Sequence, residues 1–243
     1  TRDGGDTWAP VEGLPATPMK GVCAIDVLHS QFIDAGELRS RAIVHVAGRV
    51  GGPAHLLRSL DGGRSWTMID MTPWAAMIVD VKFFDAMNGI VFAGSDAAID
   101  RSHALIVRTD DGGRTWHRAY VSSRPYELTW KGSFPTREVG YATIQSYDPD
   151  TARSQRYVAK TVDGGITWSE LPLVDDASVR QFGVGFLDAE HGWVGTNKTG
   201  YETRDGGRSW TAANFGRAVN KIRVLPTERG PVAYAIGADV YRY

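Results

Sequence analysis

The chain has 243 residues, of which 42% are hydrophobic and 10% aromatic, a balance that excludes a disordered chain and suits one large folded domain. Its formal net charge of -1 gives no global field for nucleic acid or an anionic membrane. One cysteine, Cys23, excludes a disulfide framework, and no apolar run approaches the ~18 residues that read as a membrane span.

Taken in chain order, five stretches share the pattern Ser/Thr-x-Asp-Gly-Gly-x-Ser/Thr-Trp. They end at Trp8, Trp66, Trp116, Trp168 and Trp210, and carry Asp3, Asp61, Asp111, Asp163 and Asp205. The tryptophans are spaced by 58, 50, 52 and 42 residues. Internal periods of this length point to propellers or solenoids. Asp-Gly between apolar runs is a hairpin signal, because glycine takes the positive φ that tight turns need. The Asp carboxylate is placed to accept backbone N–H groups of its own turn and the hydroxyl four positions on. The Trp then opens the next strand as a bulky wedge between sheets. All ten residues are therefore expected to be structural.

Between boxes one subpattern recurs. A first short apolar strand is expected at 24–27, 78–81, 128–130, 181–184 and 222–224. A polar turn follows, and then a second strand at 42–47, 89–93, 140–144, 192–195 and 232–236. A third strand, at 54–58, 104–108, 156–160 and 200–202, leads into each box. Four short strands per unit predict a propeller blade. The chain thus reads as a single all-β domain over 1–243, a five-bladed β-propeller with blades near 9–66, 67–116, 117–168, 169–210 and 211–243. The last unit stops before any box, and the chain opens with an orphan one. Residues 1–8 are accordingly expected to close the ring by pairing with the C-terminal strand at 239–243. Residues 34–39 read either as one helical turn or as a hairpin loop, and 147–153 as a polar insertion.

Strand alternation puts the boxes and the strand one-to-two turns on one face. The opposite face offers Trp74, Asp96, Asp100, Arg101, His103, Glu127, Tyr147, Asp148, Asp150, Arg153, Asp175, Asp176 and Lys198 as loop candidates. On that face Arg124, Tyr126, Trp130 and Arg180 are predicted to form the binding patch, since Arg forks onto carboxylates and aromatics supply buried area. Hydrolytic chemistry finds little support. A glycosidase needs two carboxylates about 5–9.5 Å apart. Asp26 and Asp80 occupy matching positions on first strands, which reads as a repeat feature. There is no Gly-x-Ser-x-Gly motif, the six histidines lack metal-ligand spacing, and no cofactor or metal is expected.

The boxes resemble the Asp-box, or BNR, repeat of β-propellers, found in sialidases, sortilin-type receptors, some glycoside hydrolases and photosystem II stability/assembly factors. In those families the box is a hairpin turn between the outer two strands, away from the ligand face. The stretches Val79-Asp80-Val81-Lys82-Phe83-Phe84-Asp85-Ala86-Met87-Asn88-Gly89 and Phe186-Leu187-Asp188-Ala189-Glu190-His191-Gly192-Trp193-Val194-Gly195 are similar to repeats of the photosystem II factors. That resemblance implies a lumenal, periplasmic or secreted propeller that binds a partner protein, without membrane insertion or nucleic acid. The alternatives on the same architecture are a glycoside hydrolase or sialidase-like enzyme and a glycan-binding module using Trp74, Tyr126 and Tyr147.

Overall fold

The computed structural model describes residues 1, 3–16, 21–48, 53–225, 227–228 and 230–242. They form nineteen strands in five antiparallel sheets, without a helix, arranged as the blades of a β-propeller. Blade 1 holds β1 (Val22–Asp34), β2 (Glu37–Gly48), β3 (His55–Ser59) and β4 (Thr67–Asp70). Blade 2 holds β5 (Met77–Phe83), β6 (Gly89–Gly94), β7 (Ala104–Thr109) and β8 (His117–Val121). Blade 3 is β9 (Glu127–Ser133), β10 (Gly140–Ser146), β11 (Gln155–Thr161) and β12 (Ser169–Asp175). Blade 4 is β13 (Gln181–Phe186), β14 (Gly192–Thr196), β15 (Gly200–Thr203) and β16 (Thr211–Ala213). Blade 5 has three strands among the described residues, β17 (Lys221–Leu225), β18 (Val232–Ile236) and β19 (Val240–Arg242).

Each box is locked by the same few bonds. In the third, Thr109 Oγ1 donates to Asp111 Oδ1 and accepts the Gly113 N–H at 2.9 Å. Asp111 also accepts the Arg114 and Thr115 N–H groups and the Thr115 hydroxyl. Gly112 and Gly113 both have positive φ, 77° and 87°, which is why the pair is glycine. So many donors to one carboxylate hold it well below the usual range, with the Thr115 hydroxyl the largest cause. The box is also pinned to the one-to-two turn of its own blade, with Gly112 N donating to Met87 O and Gly206 N to Glu190 O.

Blades join through a repeated fit. Phe83 opposes Gly89 across β5–β6, and Phe186 opposes Gly192 across β13–β14. A Cβ on Gly89, Gly140 or Gly192 would lie 2.5, 2.3 and 2.3 Å from the rings of Phe83, Phe134 and Phe186, so glycine makes room for the ring. Phe83 then stacks on His45 of blade 1 at 3.5 Å, and Phe186 on Tyr141 of blade 3 at 3.6 Å. The box tryptophan of the same blade closes the set edge-on, Trp116 on Phe83, Trp168 on Phe134 and Trp210 on Phe186. Each buried aromatic contributes about 1.5–3 kcal/mol by removal from water. These contacts form the cores between successive blades.

Two expectations are corrected, and residues 34–39, which the sequence leaves open, resolve as the hairpin. Each of the first four sheets takes the strand that follows its box tryptophan, so the blades break at residues 71–76, 122–126, 176–180 and 214–220 rather than at the tryptophans. Residues 34–37 form a tight hairpin turn, with Ala35 and Gly36 at φ 51° and 84°, inside one long β1–β2 ladder, so there is no helical turn. Residues 1–8 do not close the ring: no strand forms there among the described residues, and β19 has β18 as its one partner. The N-terminal box completes its hydrogen bonds internally and needs no partner strand. Val11 and Leu14 instead line an open groove with Val22, Ile25 and Val27, all five side chains remaining exposed.

Candidate functional site

The face opposite the boxes is built from the loops that pass between blades and the hairpins between second and third strands. Its centre is Tyr147, just past β10. The Tyr147 N–H donates to Tyr126 O at 2.8 Å, and its hydroxyl donates to Gln145. Tyr126 has φ 64°, a left-handed conformation uncommon for a bulky residue, at the point where the chain turns into β9. The Arg180 guanidinium lies 4.9 Å above the Tyr147 ring. Trp130 and Tyr147 pack on Met77, Val79 and Leu128. The Trp130 indole N–H reaches Asn220 Oδ1 at 2.8 Å, and the ring stands 6.1 Å from Phe182, so it links blades 3, 4 and 5. Tyr126, Trp130 and Arg180 are therefore gathered around one tyrosine.

Arg124 is not free to join them. It forks onto Glu170 at 2.9 and 3.0 Å, donates from Nε to Glu127 at 2.7 Å, and stacks 4.4 Å over Tyr157. Burial opposes its charge, but the two carboxylates outweigh burial and raise its pKa. Burial raises the Glu127 carboxyl, with Arg124 opposing. Tyr120 also donates to Glu170, and this closed network ties the loop ahead of β9 to the outer strands of blades 2 and 3. The predicted patch thus divides into a platform of three residues and a brace beside it.

Nearer the axis, Asp26 and Asp80 are both engaged, although the strand register sets them two residues apart rather than at matching positions, Asp26 falling where blade 2 has Lys82. Asp26 accepts the Phe83 N–H at 2.8 Å and Lys82 Nζ at 3.2 Å. Asp80 accepts the Gly132 N–H at 3.1 Å, with Lys131 Nζ 3.9 Å away. Each ties its inner strand to the next blade. Burial raises the Asp80 pKa, opposed first by Lys131 and then by the Gly132 N–H, Arg223 and Lys221. Lys131 of blade 3 thus stands beside one buried carboxylate, which also feels the charges of Lys221 and Arg223 on blade 5. Sequence reasoning missed these three, because they act on Asp80 only when the innermost strands are wound around a common axis. Their signal was alternation along the strand, which puts Lys221 and Arg223 on the same side of β17. Among the described residues no group of three His, Cys, Asp or Glu side chains is placed to hold a metal ion. No helix is long and apolar enough to cross a membrane.

This arrangement defines the class, a five-bladed β-propeller with its boxes on one face and an aromatic–cationic platform on the other. No family model matches the chain. No curated protein matches it either. Among solved structures, an ancestral GH74 enzyme superposes with a TM-score of 0.59 and 18% identity, over 93% of this chain and 28% of that one. The chain thus spans less than a third of that enzyme. An α-L-arabinofuranosidase from Fusarium graminearum gives a TM-score of 0.53 at 14% identity, over 82% of this chain and 70% of that one. YCF48 bound to a D1 peptide is similar over 96% of this chain and 97% of that one, with a TM-score of 0.41 and 13% identity. At such identities the likeness concerns the fold.

Proposed function

We propose that the chain is a non-enzymatic binding or assembly scaffold that holds a protein partner on the face opposite its boxes. The observation that carries this reading is the Trp130–Tyr147–Arg180 platform, with Lys131 Nζ 5.8 Å from the Trp130 ring. Aromatic rings with an arginine above them are the side chains on which binding energy concentrates, and a surplus of cations selects an acidic segment. The aspartates that a glycosidase would set against each other, Asp26 and Asp80, each accept a backbone N–H of the next blade, which favours a scaffold over a hydrolase. The Asp-box character of the repeats and their resemblance to photosystem II stability/assembly factors support the same reading, with a periplasmic or secreted setting. Tyr126 shapes the platform through its backbone, and Arg124 positions the loop beneath it through Glu127 and Glu170.

The test is affinity purification from the native envelope fraction with the wild-type chain and with Arg180→Ala/Tyr147→Ala, followed by titration of the retained protein. Removing two central contacts should weaken binding by at least roughly 30-fold. A partner held equally by both proteins would move the site elsewhere. Turnover of chromogenic glycosides, lost in Asp80→Asn, would replace the scaffold with an enzyme.

A further inference from the structure

At the junction of blades 1 and 2, one side of β2 and β3 faces the box of blade 2. His45 stacks on Phe83 of blade 2, and alternation puts Arg41 and Ile43 on the same side of β2 as His45. Arg58 opposes His45 across β2–β3, so it faces blade 2 as well. Its guanidinium donates from Nη1 to Gly112 O of the third box, and Arg114 stands two residues further along that box. Arg41 approaches from beyond the rim. The β1–β2 ladder runs on past Val27–Val44, the level at which blade 2 turns back at Phe83–Gly89. Arg41 sits on that extension, opposite Ser30 and 5.1 Å from the centre of the Phe32 ring. Three guanidinium groups from β2, β3 and a box are thus directed to one place on the box-bearing face.

None of the three is ion-paired among the described residues, whereas Arg39 and Arg108 are, with Asp34 at 3.0 Å and Asp110 at 3.8 Å. Arg58 Nε is buried and has no hydrogen-bond partner among the described residues. Burial, and then the charges of Arg114 and Arg41, lower the Arg58 pKa, with no carboxylate acting against them. Asp111 of the same box spends its oxygens on the donors of its own turn. The junction of blades 3 and 4 is built alike but is neutralised. There Lys160, opposite Tyr141, donates to Gly206 O at 2.8 Å, and Arg208 takes the place of Arg114. Burial and Arg208 lower the Lys160 pKa, but Asp205 and Glu190 raise it. Glu190 is the residue whose carbonyl accepts the Gly206 N–H; in blade 2 that residue is Met87, which accepts from Gly112. Blade 2 therefore lacks the acid and gains a third cation, Arg41.

Like charges held together in a half-buried place are stabilised by a counter-ion. Guanidinium forks donate in pairs, and three of them arriving from different elements offer more donors than the two oxygens of one carboxylate can take. We propose that Arg41, Arg58 and Arg114 form a binding site for a free tetrahedral dianion, phosphate or sulfate. Arg58 is the fixed member, held on Gly112 O, and the exposed Arg41 and Arg114 close over the ion. The bound ion ties the extended hairpin of blade 1 to the box of blade 2. The site lies on the face opposite Trp130, Tyr147 and Arg180, so its occupancy does not compete with a partner held there.

The experiment is titration calorimetry of the whole chain with inorganic phosphate, at constant ionic strength set with sodium chloride and at a pH where phosphate is a dianion. Wild type should take up one equivalent saturably. Arg41→Gln and Arg114→Gln keep their fold, since both side chains are exposed, and each should bind at least roughly 10-fold more weakly. Met87→Glu supplies the acid that blade 4 carries, at an exposed position, and should weaken binding by as much without touching a cation. Arg58→Lys can keep the bond to Gly112 O, as Lys160 does on Gly206, and should still lose affinity, because a point charge does not fork. Arg208→Gln, at the neutralised junction, should bind as wild type does. Sulfate should compete for the site and acetate should not. No saturable uptake by wild type, Arg41→Gln, Arg114→Gln or Met87→Glu binding as tightly as wild type, an equal loss in Arg208→Gln, or acetate competing as well as sulfate would each overturn the proposal.

Discussion

Blade 2 and blade 1 use the same positions in opposite ways. Where blade 2 places Phe83 opposite Gly89, blade 1 pairs Val27 with Val44. Phe83 is fully buried against His45 of the blade before it, while Val27 is 45% exposed. The phenylalanine, the glycine that admits its ring and the box tryptophan are a fit to a preceding blade. Blade 1 has no such blade among the described residues, and its side chains there are small and partly wet. The comparison shows that a blade's composition encodes its neighbour as much as its own sheet.

The largest effect should come from the aromatic itself. Phe83→Ala removes a ring from a closed core and should cost about 3–5 kcal/mol in denaturant unfolding, whereas Val27→Ala should cost less than about 1 kcal/mol. Equal costs would mean that the two faces are packed alike. Next comes the glycine. Gly192→Ala drives a Cβ to 2.3 Å from the Phe186 ring, an overpacking of about 1–3 kcal/mol. At Gly21, where an added Cβ meets nothing within 4 Å, the same change should be close to neutral.

His45 adds a pH dependence to the same interface. Burial, aided by the Arg58 charge, lowers its pKa to about 3 from an ordinary 6.5. Between those values the unfolded chain holds a proton that the folded chain does not. Stability is therefore complete above pH ~6.5 and falls as the pH drops toward 3, by about 1–3 kcal/mol between pH 6.5 and 4. His45→Phe keeps the stack on Phe83 and should flatten that slope; an unchanged slope would remove His45 as its source.

The smallest effect sharpens the comparison at the boxes. Asp163→Ala strips the Ile166 and Thr167 N–H groups and the Thr167 hydroxyl of their acceptor in a box that sits inside the ring, and should lower the thermal midpoint. Asp3→Ala, in the box whose Trp8 is exposed, should leave the midpoint of the monomer within error. The box carboxylates are held below their ordinary value, Asp205 at about 2 with the Ser209 hydroxyl as the chief cause. What they contribute is present above pH ~4 and is lost as pH falls through the folded value. Asp205→Asn should therefore lose part of the acid-induced drop in midpoint.

The strands, the five boxes and the two faces were legible in the sequence because their causes are local. A Ser/Thr-x-Asp-Gly-Gly turn satisfies its own donors within eight residues, and alternation along a strand sends successive side chains to opposite sides. The box at residues 1–8 was legible for the same reason. Which box meets which blade was not. The turn is complete without a partner, so residues 1–8 carry no record of the edge they pair with, and the structure leaves them beside Val22, Ile25 and Val27 rather than on β19. The platform divided in the same manner. Arg124 and Arg180 look alike as letters in two inter-blade loops, but only folding puts Glu170 within a bidentate reach of one and Tyr147 beneath the other. The cations that act on Asp80 are separated by about 90 residues of chain, and what brings their charges to it is the winding of five inner strands around one axis, a long-range geometry that no local pattern contains.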